Sequence, residues 1–220
     1  GRWICEILAR RPGHGTRSSG TVHMSSPEAA STDVARRFGR TLLAAARAGV
    51  EHAVRTGGVL VVDPSDAAPE LQTPAATFVS LHRGDELLGC IGSLAAARPL
   101  IVDVVENAAS AVLRDPRCPV LRPIDVPDVR IDISLLTPSE PIQVSSEADL
   151  ISQLRPGIDG VTLEDRGRRG TFLPVVWQSV PDPEDFVYEL KRKAGLPERG
   201  WSPTMRVSRY RTITIADGEE

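Results

Sequence analysis

Cys90 stands between two glycines in the run Leu87-Leu88-Gly89-Cys90-Ile91-Gly92-Ser93. A cysteine does covalent chemistry as its thiolate, which needs a cation or a helix N-terminus nearby to form near neutral pH. Gly89 and Gly92 strip the side-chain walls from around the sulfur. That lets a ligand or another stretch of backbone approach closely. The same pattern also describes a small buried hydrophobe whose glycines serve strand packing. His82 falls on the strand that would pair with this one. Arg114-Asp115-Pro116-Arg117 carries two guanidinium groups that could clamp an anion, or an aspartate that organises a turn beside solvated arginines. Glu106 and Asn107 lie about two turns before Arg114, and the seven-residue step from Asn107 to Arg114 returns to one helix face. Arg166-Gly167-Arg168-Arg169-Gly170 is a basic turn. It suits a phosphate, a carboxylate or an RNA backbone, and equally a solvated hairpin tip.

Other chemistries have no pattern to rest on. The four histidines (His14, His23, His52, His82) and three cysteines (Cys5, Cys90, Cys118) show no Cys-x-x-Cys or His-x-x-x-His spacing, so no metal site is expected. Neither a phosphate-binding glycine loop nor a Gly-x-Ser-x-Gly elbow occurs. With 26 Lys and Arg against 29 Asp and Glu, the net charge of −3 argues against a general nucleic-acid binder. Three Trp and four Phe are too few and too scattered for a base-stacking platform. No apolar run reaches the roughly 18 residues of a membrane span. Three scattered cysteines make no disulfide framework, which points to a reducing, cytoplasmic setting.

The elements that must position these residues can be read from periodicity and punctuation. Residues 1–28, rich in Gly, Ser and Arg and beginning at Gly1, are expected to be a disordered leader or an upstream extension. Residues 217–220 read as a solvated acidic tail. Ser31 or Thr32 should cap a long amphipathic helix carrying Val34, Phe38, Leu42, Ala45, Gly49 and Ala53, stopped by Gly57 and Gly58. Residues 59–62 form a short strand or buried segment, and residues 63–76 a proline-punctuated loop. Residues 77–82 and 87–91 make a hairpin. A helix opens at Pro99 and must end near Asp115, because Pro116 cannot continue it. Residues 116–128 form an irregular connection. Residues 130–135 alternate as a half-buried strand, with Ile131, Ile133 and Leu135 on one side and Arg130, Asp132 and Ser134 on the other. Ser146 and Asp149 form a capping box for a short helix. Residues 161–164 and 170–173 flank the basic turn as a second hairpin. Asp182-Pro183-Glu184-Asp185 starts a helix that Gly195 ends, and residues 207–215 alternate as one last strand. The mixture is α+β with antiparallel sheet, and no internal repeat is visible in the sequence.

Taken together, Leu88-Gly89-Cys90-Ile91-Gly92, Glu106-Asn107-Ala108, Arg114-Asp115-Pro116-Arg117, Leu154-Arg155-Pro156-Gly157-Ile158-Asp159-Gly160 and Arg168-Arg169-Gly170-Thr171-Phe172-Leu173-Pro174 resemble the AMMECR domain family. Trp177, Lys191-Arg192-Lys193-Ala194-Gly195-Leu196 and Trp201 continue the resemblance, which spans residues 34–215 in order. It implies an AMMECR-type α+β fold over residues 29–216, with two subdomains of mainly antiparallel sheet and flanking helices. It also implies a bacterial or archaeal protein of the AmmeMemoRadiSam system, grouped with a radical S-adenosylmethionine enzyme and a Memo-type protein. The iron–sulfur cluster and S-adenosylmethionine would then belong to the partner, and this chain would carry no cofactor of its own. Cys90 becomes the suspected reactive residue, with Gly89, Gly92, Glu106, Asn107, Arg114, Arg117, Arg168 and Arg169 as candidates for binding a substrate or anion. Two departures stand out. Leu88 replaces the arginine of the family signature, removing any help that side chain gives. Cys118 stands where a phenylalanine is usual, which implies an apolar slot and not a second reactive thiol.

Overall fold

The computed structural model describes residues 27–217. In chain order the elements are α1 (Pro27–Thr56), α2 (Pro69–Gln72), β1 (Pro74–Ala75), β2 (Thr77–Arg83), β3 (Glu86–Gly92), β4 (Arg98–Pro99) and α3 (Leu100–Leu113). There follow β5 (Arg130–Leu136), β6 (Glu140–Ile142), α4 (Glu147–Gln153), β7 (Gly160–Asp165), β8 (Arg168–Phe172), α5 (Pro183–Lys193), β9 (Arg206–Tyr210) and β10 (Thr212–Ala216). The leader over residues 1–26 and the tail residues 218–220 lie outside the described residues. The chain divides into a first unit, up to Leu136 with Ile213 onward, and a second unit, Thr137–Thr212.

The first unit packs α1 and α3 against each other and against one face of a four-stranded sheet of order β10-β5-β2-β3. Phe38, Leu42, Ala45, Ala46 and Val50 of α1 meet Ile101, Val104, Val105 and Ala108 of α3 and the inward residues Val79, Leu81, Ile131 and Ile133 of the strands. Burying a stripe of this kind is the main stabilising term, at about 25 cal/mol per Å² of apolar surface. The second unit has its own sheet, of order β6-β9-β7-β8, and its own core. There Trp177 stacks on Phe186 with centroids 3.7 Å apart, and Phe172 meets the Phe186 ring edge-on at 5.2 Å.

Several expectations shift in detail. Helix α1 begins at Pro27, ahead of the expected cap, because proline is tolerated in a first helical turn; Thr32 sits inside the helix with its hydroxyl donating to Glu28 O. Residues 59–62 are not a strand: Val61 is 92% exposed while Leu60 and Val62 rest on the core. The proline-rich stretch after them holds a 3-10 turn at Pro64–Asp66, capped by Asp63, as well as α2 and β1. The irregular connection before β5 likewise contains a 3-10 turn, Pro123–Asp128. The basic turn is tighter than expected. Only Arg166 and Gly167 lie between the strands, with φ of 49° and 78°, the left-handed pair that a two-residue hairpin loop requires. The last alternating run is two strands. It breaks at Arg211, and β9 and β10 join different sheets.

A repeat invisible in the sequence is plain in the topology. Each unit runs helix, strand, strand, helix, strand: α1-β2-β3-α3-β5 and α4-β7-β8-α5-β9. In each the third strand pairs with the first, antiparallel, and the hairpin's second strand lies at the sheet edge. The registers correspond. Ile131, Leu81 and Gly89 form one cross-strand row, and Val207, Leu163 and Gly170 form its counterpart. Both glycines admit the end of the following helix. A Cβ on Gly89 would lie 2.8 Å from Ala111 O, and one on Gly170 would lie 2.9 Å from Ala194 Cα.

Candidate functional site

Strand alternation fixes where Cys90 points. Gly89 faces α3, so Cys90 projects from the opposite face of the sheet. There it lies directly across from Ser80, which in turn lies across from Asp132. These three residues form one row over three strands, each half-buried. Phe78 bounds the row on one side, its ring laid over Gly92, where a Cβ would come within 2.2 Å of it. His82 and Arg130 bound it on the other side. His82 Nε2 is 3.4 Å and Arg130 Nη2 3.6 Å from Asp132 Oδ2. Asp132 Oδ1 is buried and receives no hydrogen bond among the described residues.

The backbone of Cys90 is anchored from the side. Its N–H, unused by β2, donates to Asp115 Oδ2 at 2.7 Å. Asp115 sits in the loop after α3, where Pro116 stops the helix. It also accepts from the backbone N–H and the Nε of Arg117, both at 2.9 Å, and from Arg117 Nη2 at 2.6 Å. The Arg117 side-chain hydrogen bond, backed by the N–H groups of Cys90 and Arg117, holds the Asp115 carboxyl far below the usual carboxylate range against the opposing effect of burial. Arg117 is raised in turn, chiefly by its side-chain hydrogen bond to Asp115. Its side chain is 54% exposed.

The other candidates fall elsewhere. Asn107 and Glu106 belong to a polar network centred on Asp103, which is fully buried. Asp103 accepts from Thr77 N at 2.9 Å, Thr77 Oγ1 at 2.7 Å, Ser93 Oγ at 2.7 Å, Asn107 Nδ2 at 2.9 Å and Arg98 Nη2 at 2.6 Å, while Glu106 pairs with Arg98. That network joins α3 to the start of β2 and the end of β3, and both oxygens of Asp103 are engaged with protein. Arg114 caps α3 through its backbone and its side chain is exposed. Gly89 and Gly92 make room for protein, Ala111 O and the Phe78 ring respectively. Leu88 is 2% exposed in the core of the first unit. The bulge between Leu81 and His82 breaks the alternation there. Cys118 packs against that same core, and burial, then the Asp115 charge, pushes its thiol upward. Arg168 and Arg169 belong to the second unit. Arg168 Nη1 donates to Gly195 O at the end of α5, and Arg169 is exposed beside Glu164.

Sequence reading did not single out Ser80 or Asp132 for chemistry. The signal was present in the alternation of residues 77–82 and 130–135, but nothing in the sequence tells which strand pairs with which, or in what register. Among the described residues no cluster of three or more His, Cys, Asp or Glu side chains is arranged to hold a metal ion, and no helix is long and apolar enough to cross a membrane.

Two αββαβ units, with a glycine-framed cysteine on the face of one sheet opposite its helices, define an α+β protein with a candidate thiol site. Comparison with known proteins places it in a family. The AMMECR1 family model matches residues 43–215, and the chain belongs to that family. A protein of Methanothermobacter thermautotrophicus is 37% identical over 183 residues, covering 80% of this chain and 93% of that protein. One from Thermotoga maritima is 33% identical over 165 residues, covering 73% of this chain and 88% of its own. The crystal structure of an uncharacterized protein from Pyrococcus horikoshii superposes with a TM-score of 0.68 at 28% identity, over 80% of this chain and 90% of that one. The expected α+β fold is the one observed.

Proposed function

We propose that this chain is an enzyme or enzyme component whose reactive group is Cys90. The observation that carries the reading is the placement of that thiol. It is half-buried on the sheet face away from the helices, and its backbone N–H is pinned by Asp115, which is itself held by Arg117. A rigidly held backbone is what a nucleophilic or ligand-holding sulfur needs. The resemblance to the AmmeMemoRadiSam grouping supports a role beside a radical S-adenosylmethionine enzyme and a Memo-type protein in the cytoplasm, with this chain acting on, or presenting, a peptide or small metabolite.

The test is alkylation of Cys90 by iodoacetamide at neutral pH in the folded chain with Cys5 and Cys118 replaced by serine. It is paired with the activity of the reconstituted three-protein system bearing Cys90→Ser. The proposal expects labelling within about tenfold of the urea-unfolded chain and a system that loses turnover. Labelling only after unfolding, with turnover intact in Cys90→Ser, would instead leave a binding or adaptor module that holds a small anion or a partner protein through Arg114 and Arg117.

A further inference from the structure

An exposed strand edge is normally guarded by charge, proline, a bulge or a covering segment, because its unpaired backbone groups can recruit another chain. The first sheet ends on β3 and β10. On β3 the Cys90 N–H is already taken by Asp115. On β10 the run Thr212-Ile213-Thr214-Ile215-Ala216 carries no charge, proline or glycine. Among the described residues no strand lies beyond it.

Register determines which groups of β10 face outward. Thr137 N donates to Arg211 O at 2.9 Å, and Asp217 N donates to Ile131 O at 3.1 Å. Both bonds keep one register with β5, so the odd-numbered residues 211 to 217 spend their backbone groups on β5. Thr212, Thr214 and Ala216 turn theirs to the open edge. Side chains alternate too. Ile213 and Ile215 join the core, with Ile215 against Gly39 of α1, while Thr214 is exposed on the opposite face.

This outward row is complementary to itself. A two-fold axis through Thr214 sets a second copy antiparallel and pairs Thr214 with Thr214 and Thr212 with Ala216, for about six hydrogen bonds in all. An odd-numbered centre is impossible, because those residues already pair with β5. The same axis sets Ile213 opposite Ile215, and Arg211 opposite Asp217, of the second copy. Matched β-branched side chains and opposite charges attract across a ladder. Arg47 of α1 already holds the Asp217 carboxylate, so its position at the end of the strand is set.

We propose that β10 is a self-association edge. A second copy of this chain adds its own β10 antiparallel, and the two four-stranded sheets run on as one. A contact built on one short strand is small, so the dimer is weak and forms at high micromolar concentration.

Sedimentation velocity of the full chain under reducing conditions, over rising concentration, tests it. Monomer should give way to dimer. Thr214→Pro removes an N–H that β5 does not use, so it should keep the wild-type circular dichroism while weakening self-association at least about tenfold. Thr214→Lys and Thr214→Asp should each stay monomeric, since each sets like charges face to face on the axis. Mixed together they should associate, a rescue that requires residue 214 to meet its own copy. A wild-type chain that stays monomeric throughout, a dimer that survives Thr214→Pro, or a Lys and Asp mixture that fails to associate would overturn the proposal. A monomer whose Thr214 amide resists hydrogen exchange would overturn it in favour of another segment of the chain, such as residues 1–26, lying on the edge.

Discussion

Both units of this molecule carry a glycine in the second strand of a hairpin, and in both the glycine admits the end of the next helix. The residue after it differs, and so does its surroundings. In the second unit Thr171 closes a ring of hydroxyls and main-chain carbonyls, Lys193 Nζ donates to its carbonyl at 2.9 Å, and the fully buried Lys191 spends its ammonium on Glu147 Oε2, Glu198 O and Gly200 O. In the first unit the Asp115 anchor is just as complete, yet the side chains of Cys90, Ser80 and Asp132 are left with capacity to spare. Motifs that look alike in a sequence thus divide into scaffold and site once their hydrogen bonds are counted. The second unit's motif residues are mostly scaffold.

The contrast can be broken most forcefully at Lys191. Lys191→Met leaves the partly exposed Glu147 carboxylate and the carbonyls of Glu198 and Gly200 without their shared donor and should cost about 2–4 kcal/mol in urea unfolding. Next come the paired glycines. Gly89→Ala and Gly170→Ala should each cost about 1–3 kcal/mol through overpacking, and similar values would support the equivalence of the two rows. Asp115→Ala should cost about 1.5–3 kcal/mol at neutral pH. Its folded-state value is depressed, so the wild-type carboxylate contributes in full above its unfolded value of about 3.9; the gap between the two proteins should narrow as pH falls below about 4. Smallest and most telling is the row itself. Thr171→Val should cost about 1–2 kcal/mol, while Ser80→Ala should stay within about 0.5 kcal/mol, because only the first leaves buried partners unpaired. Equal costs would erase the distinction between a satisfied face and an available one.

Much of this was legible in the residues. The Cys90 hairpin, the helix ended by Pro116, the Ser146 cap and the Asp182-to-Gly195 helix follow from local chemistry, and local chemistry is what a sequence displays. What could not be read is non-local. The bulge that turns Leu88 inward, the pairing of β5 with β2 that carries Asp132 toward Ser80, and the change of sheet at Arg211 depend on register and partner choice. Even the capping box is half a box. Ser146 accepts from Asp149 N, whereas the Asp149 carboxylate turns to Ser145. The duplication escaped because its equivalences are of volume and hydrogen bonding, glycine excepted, and not of residue identity.

Asp115 has one more consequence, for assembly. β3 and β8 are terminal strands, and an unpaired strand edge invites another chain to add itself to the sheet. Midway along β3 a carboxylate already holds the outward N–H, and midway along β8 an ammonium already holds an outward carbonyl. The β3 edge is fenced by a carboxylate–guanidinium pair and the β8 edge by an ammonium. A chain that adds itself to the β3 edge must first displace the Asp115–Arg117 pair from the Cys90 N–H.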